Sequence, residues 1–248
     1  MKPTGNTILI TGGGSGIGQA LARRFHALGN QVIVAGRRRD ALDETIAGHD
    51  GMAAMVVDVE DPAAIATFAD RLIADHPALN VVINNAGIMR SETLTGARDL
   101  ADAEAMIVTN LLGPIRLTNA LVDHLTRQPD PVIVNVTSGL AFVPMVSAPT
   151  YSATKAAIHS YTLSLRHQLH GQVEVIELAP PGVQTDLTPG QATRDMYMPL
   201  ADYIDEVMGL FEQQPTPSEI LVERVKMLRH AEAEGRFDQV MAGLNGAV

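Results

Sequence analysis

Apolar and polar positions follow two alternating rhythms along this chain. Short apolar runs, Thr7–Ile10, Gln31–Ala35, Ala53–Asp58, Val81–Asn84, Pro131–Thr137 and Val173–Ala179, read as strands buried on both faces. Between them lie segments at about 17–28, 39–48, 61–75, 100–127 and 151–169 whose apolar residues recur at helical spacing. Parallel neighbours need a crossover connection, and a helix supplies it. The alternation therefore predicts a single α/β domain: a doubly wound parallel sheet with helices on both faces. Beyond the sixth strand the rhythm changes. Thr216-Pro-Ser-Glu219 opens a helical spacing through Ile220, Leu221, Val225 and Leu228, and Glu232–Leu244 reads as helix again. The expectation is six strands, no seventh, and a helical tail at about 217–244.

Composition narrows the function classes. At 248 residues, 46% hydrophobic and 19% charged, the chain can bury one large core without a second domain. Its 18 basic against 28 acidic residues give a formal charge of −10, which excludes a general nucleic-acid surface. The cluster Arg37-Arg38-Arg39 is the local exception. There is no cysteine, so neither disulfides nor a thiolate nucleophile enter the argument, and a reducing compartment fits. With no basic-then-apolar leader and no long uncharged apolar run, no membrane partner is expected and the cytoplasm is the default location. His167 and His170 are three apart on an expected helix, but no third ligand lies nearby in sequence, so no metal site is expected.

Three stretches carry candidate chemistry. The first expected strand runs directly into Thr11-Gly-Gly-Gly-Ser-Gly-Ile-Gly18 and then a helix. Gly12, Ser15, Gly16, Ile17 and Gly18 thus form a turn where a pyrophosphate could approach the backbone and meet free N–H groups at a helix start. The second strand ends in Gly36, Arg37 and Arg38, where a chain selecting NAD places an acidic residue. A guanidinium suits a 2′-phosphate instead, which favours NADP(H) over NAD(H). Finally, Tyr151 and Lys155 stand one helical turn apart and share a face, so an ammonium can stabilise a neighbouring phenolate.

Thr11-Gly-x-x-x-Gly-Ile-Gly18, Asp58-Val59, Asn84-Asn85-Ala86-Gly87, Asn110, Ser138, Tyr151-x-x-x-Lys155 and Pro181-Gly182 stand in the order and spacing of the short-chain dehydrogenases/reductases. The chain resembles that family from about residue 7 to about residue 186, and the resemblance implies a Rossmann-type fold and an oxidoreductase. It implies that Asp58 and Val59 meet the adenine and that Asn85-Ala86-Gly87 line the adenosine ribose. Pro181, Gly182, Val183 and Thr185 would belong to the nicotinamide-side loop. Tyr151 would be the general acid/base, Ser138 would hold the carbonyl oxygen, Lys155 would lower the Tyr151 pKa and bind the ribose, and Asn110 would hold a relay water. NADP-preferring relatives often carry a basic residue where this chain has Ser15, which leaves the cofactor choice resting on Arg37 and Arg38.

The resemblance implies a substrate lid at about 187–214, a stretch rich in apolar residues, including Met196, Tyr197, Met198 and Phe211. A hydrophobic ketone or aldehyde and its alcohol are the expected substrate pair. The rival reading of another class is a dinucleotide-binding sensor or scaffold without turnover. The expected assembly is a homodimer through the helices at about 100–127 and 151–169, with a tetramer disfavoured because its usual edge strand is missing.

Overall fold

A computed structural model of the chain describes residues 1–246. The strands are β1 (Thr7–Thr11), β2 (Gln31–Gly36), β3 (Ala53–Val56), β4 (Leu79–Asn84), β5 (Val132–Val136), β6 (Glu174–Leu178) and β7 (Glu219–Ile220). They form one parallel sheet of order β3-β2-β1-β4-β5-β6-β7. The chain winds outward from β1 to β3, then returns to place β4 against the other side of β1. At that reversal of strand order a crevice lies beyond the carboxyl ends of the strands.

Helices α1 (Gly16–Ala27), α2 (Arg39–Ile46), α3 (Pro62–Asp75), α4 (Ala101–Ile107), α5 (Gly113–Leu125), α6 (Pro149–Gln168), α7 (Leu200–Phe211), α8 (Glu223–Arg229) and α9 (Phe237–Asn245) complete the elements used below. Period-two alternation sorts the strand residues between two cores. Ile8, Ile10, Val32 and Val34 pack with Leu21 and Phe25 of α1 and Val207 and Phe211 of α7. Leu9, Ile33 and Val82 pack on the opposite face with Ile65 and Leu72 of α3 and Leu117 and Leu121 of α5. Helix starts follow local chemistry: Asp61 accepts hydrogen bonds from the N–H groups of Ala63 (2.8 Å) and Ala64 (3.3 Å), with Pro62 opening α3.

Several expectations are corrected. The helix expected over 100–127 is α4 and α5 joined by a π-helical turn, Val108–Leu112. The run Ala101–Leu125 is long and apolar enough to cross a membrane by length and composition. Its apolar stripe is spent on the domain's own core, where Met106, Leu117, Leu121 and Leu125 are buried. The seventh strand, expected to be missing, is present. Glu219 and Ile220 pair with Glu177 and Leu178, held by Glu177 N–H to Ser218 O (2.9 Å) and Ala179 N–H to Ile220 O (3.3 Å). Two residues are too few to impose a period of two, and Ile220, Val222 and Val225 are buried from a strand, a helix N-cap and a helix in succession, which mimics helical spacing. The argument against a tetramer falls with that correction. The expected helix at Glu232–Leu244 begins later, at Phe237, after a turn in which Gly235 adopts φ +66°. Half of the expected lid, α7, packs into the core through Tyr203, Val207 and Phe211.

Candidate active site

The glycine turn follows β1 at the crevice. Gly12 has φ +66°, and a Cβ there would lie 2.9 Å from the Cα of Ala86. At Gly18 a Cβ would stand 2.4 Å from the Gly12 carbonyl oxygen, so the turn can close on α1 only without a side chain. The loop after β4 is clamped to the same turn. Thr11 Oγ1 accepts from the N–H groups of Asn85 and Ala86 (3.1 Å each), while Asn85 Nδ2 donates to Thr11 O at 2.9 Å. Ser15, which precedes α1, makes no side-chain cap, so the first N–H groups of α1 face the cleft without a partner from that side chain.

The cleft, ≈ 460 Å³, runs from Arg37 and Arg38 at the end of β2, past Ser15 to Ile17, to Ser138, Tyr151 and Lys155. At its far side lie Pro181, Val183 and Thr185. The two arginines differ. Arg37 donates to Glu60 Oε1 at 3.1 Å, and the same oxygen accepts from the Thr109 hydroxyl at 2.8 Å. Arg38 has no carboxylate within ion-pair distance among the described residues. It is the freer cation for an anion in this corner.

The reactive end is built by β5, α6 and the loop after β6. Ser138, two residues beyond β5, has extended backbone and caps the short 3₁₀ turn Gly139–Ala141 by accepting from Leu140 N–H at 3.1 Å. Tyr151 and Lys155 lie on the first turns of α6, buried at 7% and 5% exposure. Burial pushes the Tyr151 phenol up to about 12; the hydrogen bond with Ser138 draws it down and the nearby Tyr197 adds to the rise. Burial pushes the Lys155 ammonium down to about 8. Its Nζ donates to Val136 O at 2.9 Å and stands 5.6 Å from the Tyr151 ring centre. The sequence points to a phenol lowered by the lysine, whereas in the fold desolvation dominates and the phenol holds its proton at neutral pH.

Asn110, Asp58 and Gly182 sit beside the cleft rather than on its wall. Asn110 lies in the π turn behind Gly87, where its Oδ1 accepts from Ile88 N–H (2.8 Å) and its Nδ2 donates to Ile88 O (2.8 Å) and Thr154 Oγ1 (3.3 Å). A Cβ on Gly87 would be 3.2 Å from that Oδ1 and 3.8 Å from Lys155 Nζ, so the asparagine and the lysine flank one point. Asp58 accepts from Glu60 N–H at 3.0 Å, while its neighbours Val57 and Val59 line the cleft. Gly182 is exposed, with space for a Cβ closed by the Tyr197 ring at 3.0 Å. Asn85, Ala86 and Gly87 all line the wall.

Several supporting residues were not visible in the sequence. Gln191 is buried and its Nε2 donates to Val183 O (2.8 Å) and Thr185 Oγ1 (3.1 Å), tying the 183–185 loop to the segment that follows. Thr109 and Glu60 meet across 49 residues of chain. No local pattern marks such pairs. Away from the cleft, His159, Glu177 and Glu219 bring ligand atoms within 4.8 Å of one another. Their capacity is already engaged: Glu177 accepts from Thr137 (2.7 Å) and bonds His159 (2.8 Å), and Glu219 is forked by Arg229.

The short chain dehydrogenase family matches residues 6–195. The chain is 40% identical over 254 residues to "Uncharacterized oxidoreductase DltE" of Bacillus subtilis (strain 168), covering 99% of this chain and 98% of that protein. It is 32% identical over 175 residues to "NADP-dependent 3-hydroxy acid dehydrogenase YdfG" of Shigella flexneri, covering 70% and 71%. A short chain dehydrogenase from Burkholderia cenocepacia J2315, solved in complex with NADP, shares the fold with TM-score 0.84 at 23% identity, covering 98% and 99% of the two chains. With the family matched over most of the chain and a relative aligned along nearly its whole length, the protein belongs to the short-chain dehydrogenases and is an oxidoreductase.

Proposed function

We propose that this enzyme interconverts a ketone or aldehyde and its alcohol with NADP(H), using Tyr151 as general acid and base. The observation that carries the reading is the buried Ser138, Tyr151 and Lys155 set at one end of a cleft whose other end holds Arg37 and Arg38. The residues fit a dinucleotide: the side-chain-free cradle at Gly12 and Gly18 leaves backbone accessible, and Arg38, with no ion-pair partner among the described residues, offers its guanidinium to a 2′-phosphate. When bound, the nicotinamide supplies or takes the hydride.

The chain's own part follows from its geometry. Ser138 Oγ, beside the phenol, holds the substrate oxygen so that it lies within reach of Tyr151. Tyr151, protonated at neutral pH, donates its proton as charge builds on that oxygen; in the reverse direction the phenolate takes it back. Lys155 stabilises the phenolate that forms and binds ribose hydroxyls, and Asn110 keeps the lysine's surroundings in register through Ile88 and Thr154. Pro181, Gly182, Val183 and Thr185 form the nicotinamide-side loop, and Asp58, Val59 and Asn85 to Gly87 the adenosine side.

Ile88, Leu187 and Pro181 on the wall support a substrate with an apolar body, enclosed by the segment from 187 onward. A second reading is favoured by Arg194. Its Nη1 donates to the Tyr197 hydroxyl at 3.2 Å, and Tyr197 is close enough to Tyr151 to raise its pKa. Among the described residues Arg194 has no carboxylate within ion-pair distance, so it suits a substrate ending in an anion, and one relative is named for 3-hydroxy acids. Exposed Ile107 and Leu163 on α4 and α6 support a homodimer, which light scattering tests. The absence of cysteine suits a cytoplasmic location.

The test is NADPH oxidation with acetophenone and with acetoacetate, for the wild type and Tyr151→Phe. The variant is expected to lose roughly 10²–10⁴ in kcat while keeping its cofactor affinity. Near-normal turnover by Tyr151→Phe overturns the mechanism. Preference for acetoacetate selects the anionic substrate over the apolar one; turnover of neither, despite tight NADPH binding, leaves the sensor or scaffold.

A further inference from the structure

Helix α6, which carries Tyr151 and Lys155, begins without a cap of its own. Its N-cap residue is Ala148, which has no side-chain acceptor, and Pro149 at the first position has no N–H. A helix start in that state leaves donors free and its first turn weakly fixed. Tyr151 lies in that first turn.

The missing acceptor comes from elsewhere in the chain. Glu92 belongs to the segment between β4 and α4, where the neighbouring residues 93–100 are exposed, yet its own side chain is only 3% exposed. Glu92 Oε2 accepts from Thr150 N–H at 2.9 Å, and Oε1 accepts from the Thr150 hydroxyl at 2.9 Å. Arg98 pairs with the same carboxylate. The backbone returns the contact, since Glu92 N–H donates to Ser147 O at 2.9 Å. A carboxylate at this end also meets the positive end of the helix dipole. Burial alone would raise the Glu92 carboxyl, but Thr150 and Arg98 outweigh it and hold the group below its ordinary range.

The same segment touches the other side of the site. Four residues before Glu92, Ile88 exchanges two 2.8 Å hydrogen bonds with the Asn110 amide. Residues 88–92 thus strap the π turn to the first turn of α6. We propose that Glu92 is a positioning residue, a cap supplied by a distant segment of the same chain that fixes Tyr151 against Ser138. This rests on Tyr151 being the acid/base of the reaction.

The experiment compares Glu92→Ala, Glu92→Gln and Glu92→Asp with Tyr151→Phe, using whichever of acetophenone and acetoacetate the wild type turns over and NADPH fluorescence titration for cofactor affinity. Glu92→Ala is expected to lower kcat about tenfold, the rate equivalent of one lost cap, with the NADPH Kd unchanged. Glu92→Gln keeps an oxygen at the Thr150 N–H and should recover most of that loss. Glu92→Asp keeps the charge and its Arg98 partner but loses reach, so it should fold and behave like Glu92→Ala; it decides the question if Glu92→Ala fails to fold. Wild-type kcat in Glu92→Asp, equal impairment in Glu92→Gln, or a matching loss of NADPH affinity overturns the proposal. Turnover by Tyr151→Phe instead sinks the catalytic reading, whatever the Glu92 variants do.

Discussion

Lys155 is a cation enclosed by the fold, with one carbonyl, Val136 O, to receive a hydrogen bond. Its ammonium is pushed down by burial from 10.5 to about 8, so between those values the unfolded chain holds a proton that the folded chain has released. Stability therefore rises with pH across that window, because the unfolded state binds more protons. Tyr151 acts in the opposite sense: with its phenol raised from 10.0 to about 12, stability falls as pH climbs beyond 10. Lys155→Met, which removes the buried charge, is expected to be more stable than wild type in urea at pH 7. Its advantage should shrink as pH rises from 8 toward 10.5. A difference independent of pH would mean the ammonium is not desolvated. The spacing of Tyr151 and Lys155 shows in the sequence that they share a face; the direction of their pKa shifts does not, because it depends on atoms brought from β5 and from Tyr197.

At the scale of elements, strand, glycine turn and helix form a unit that the sequence expresses locally. The turn tolerates no side chain where α1 returns to β1, since a Cβ on Gly18 meets backbone at 2.4 Å and cannot be relieved by a rotamer change. Gly18→Ala is expected to cost roughly 1–3 kcal/mol by overpacking and to weaken NADPH binding. Thermal melts and cofactor titration check it, and an unchanged midpoint would show that the turn yields. Six strands are legible because each is long enough for an apolar run between turn signals. The seventh has two residues and exists through its register with β6. The π turn at Val108–Leu112 is invisible for a related reason: Asn110 is one polar residue in an apolar helical run, and only its bonds to Ile88 show what the bulge presents.

The whole molecule turns on the reversal of strand order between β1 and β4. The cleft there is walled by residues from both halves of the sheet, with Arg38 beyond β2 and Ser138 and Val183 beyond β5 and β6. A ligand spanning it binds only the assembled fold, and so stabilises it by mass action, about 2.7 kcal/mol at a hundredfold excess over Kd. NADPH is expected to raise the melting midpoint more than an equal concentration of NADH, and Arg38→Ala should remove the difference. Equal shifts in the wild type would show that no group reads the 2′-phosphate.

The sequence by itself determined the alternation of strands and helices and the glycine turn, because each is written in contiguous spacing, whereas Asn110 and Ser138, far apart in the chain, stood out only through resemblance to a family. Only the tertiary structure decided which arginine lacks a carboxylate partner among the described residues, which residue caps α6, and that burial pushes the Tyr151 phenol up. Those outcomes rest on contacts such as Glu92 with Thr150 and Arg37 with Glu60, 58 and 23 residues apart in the chain. Local spacing carries the period of an element, whereas desolvation and pairing depend on which distant atoms the completed fold brings into reach.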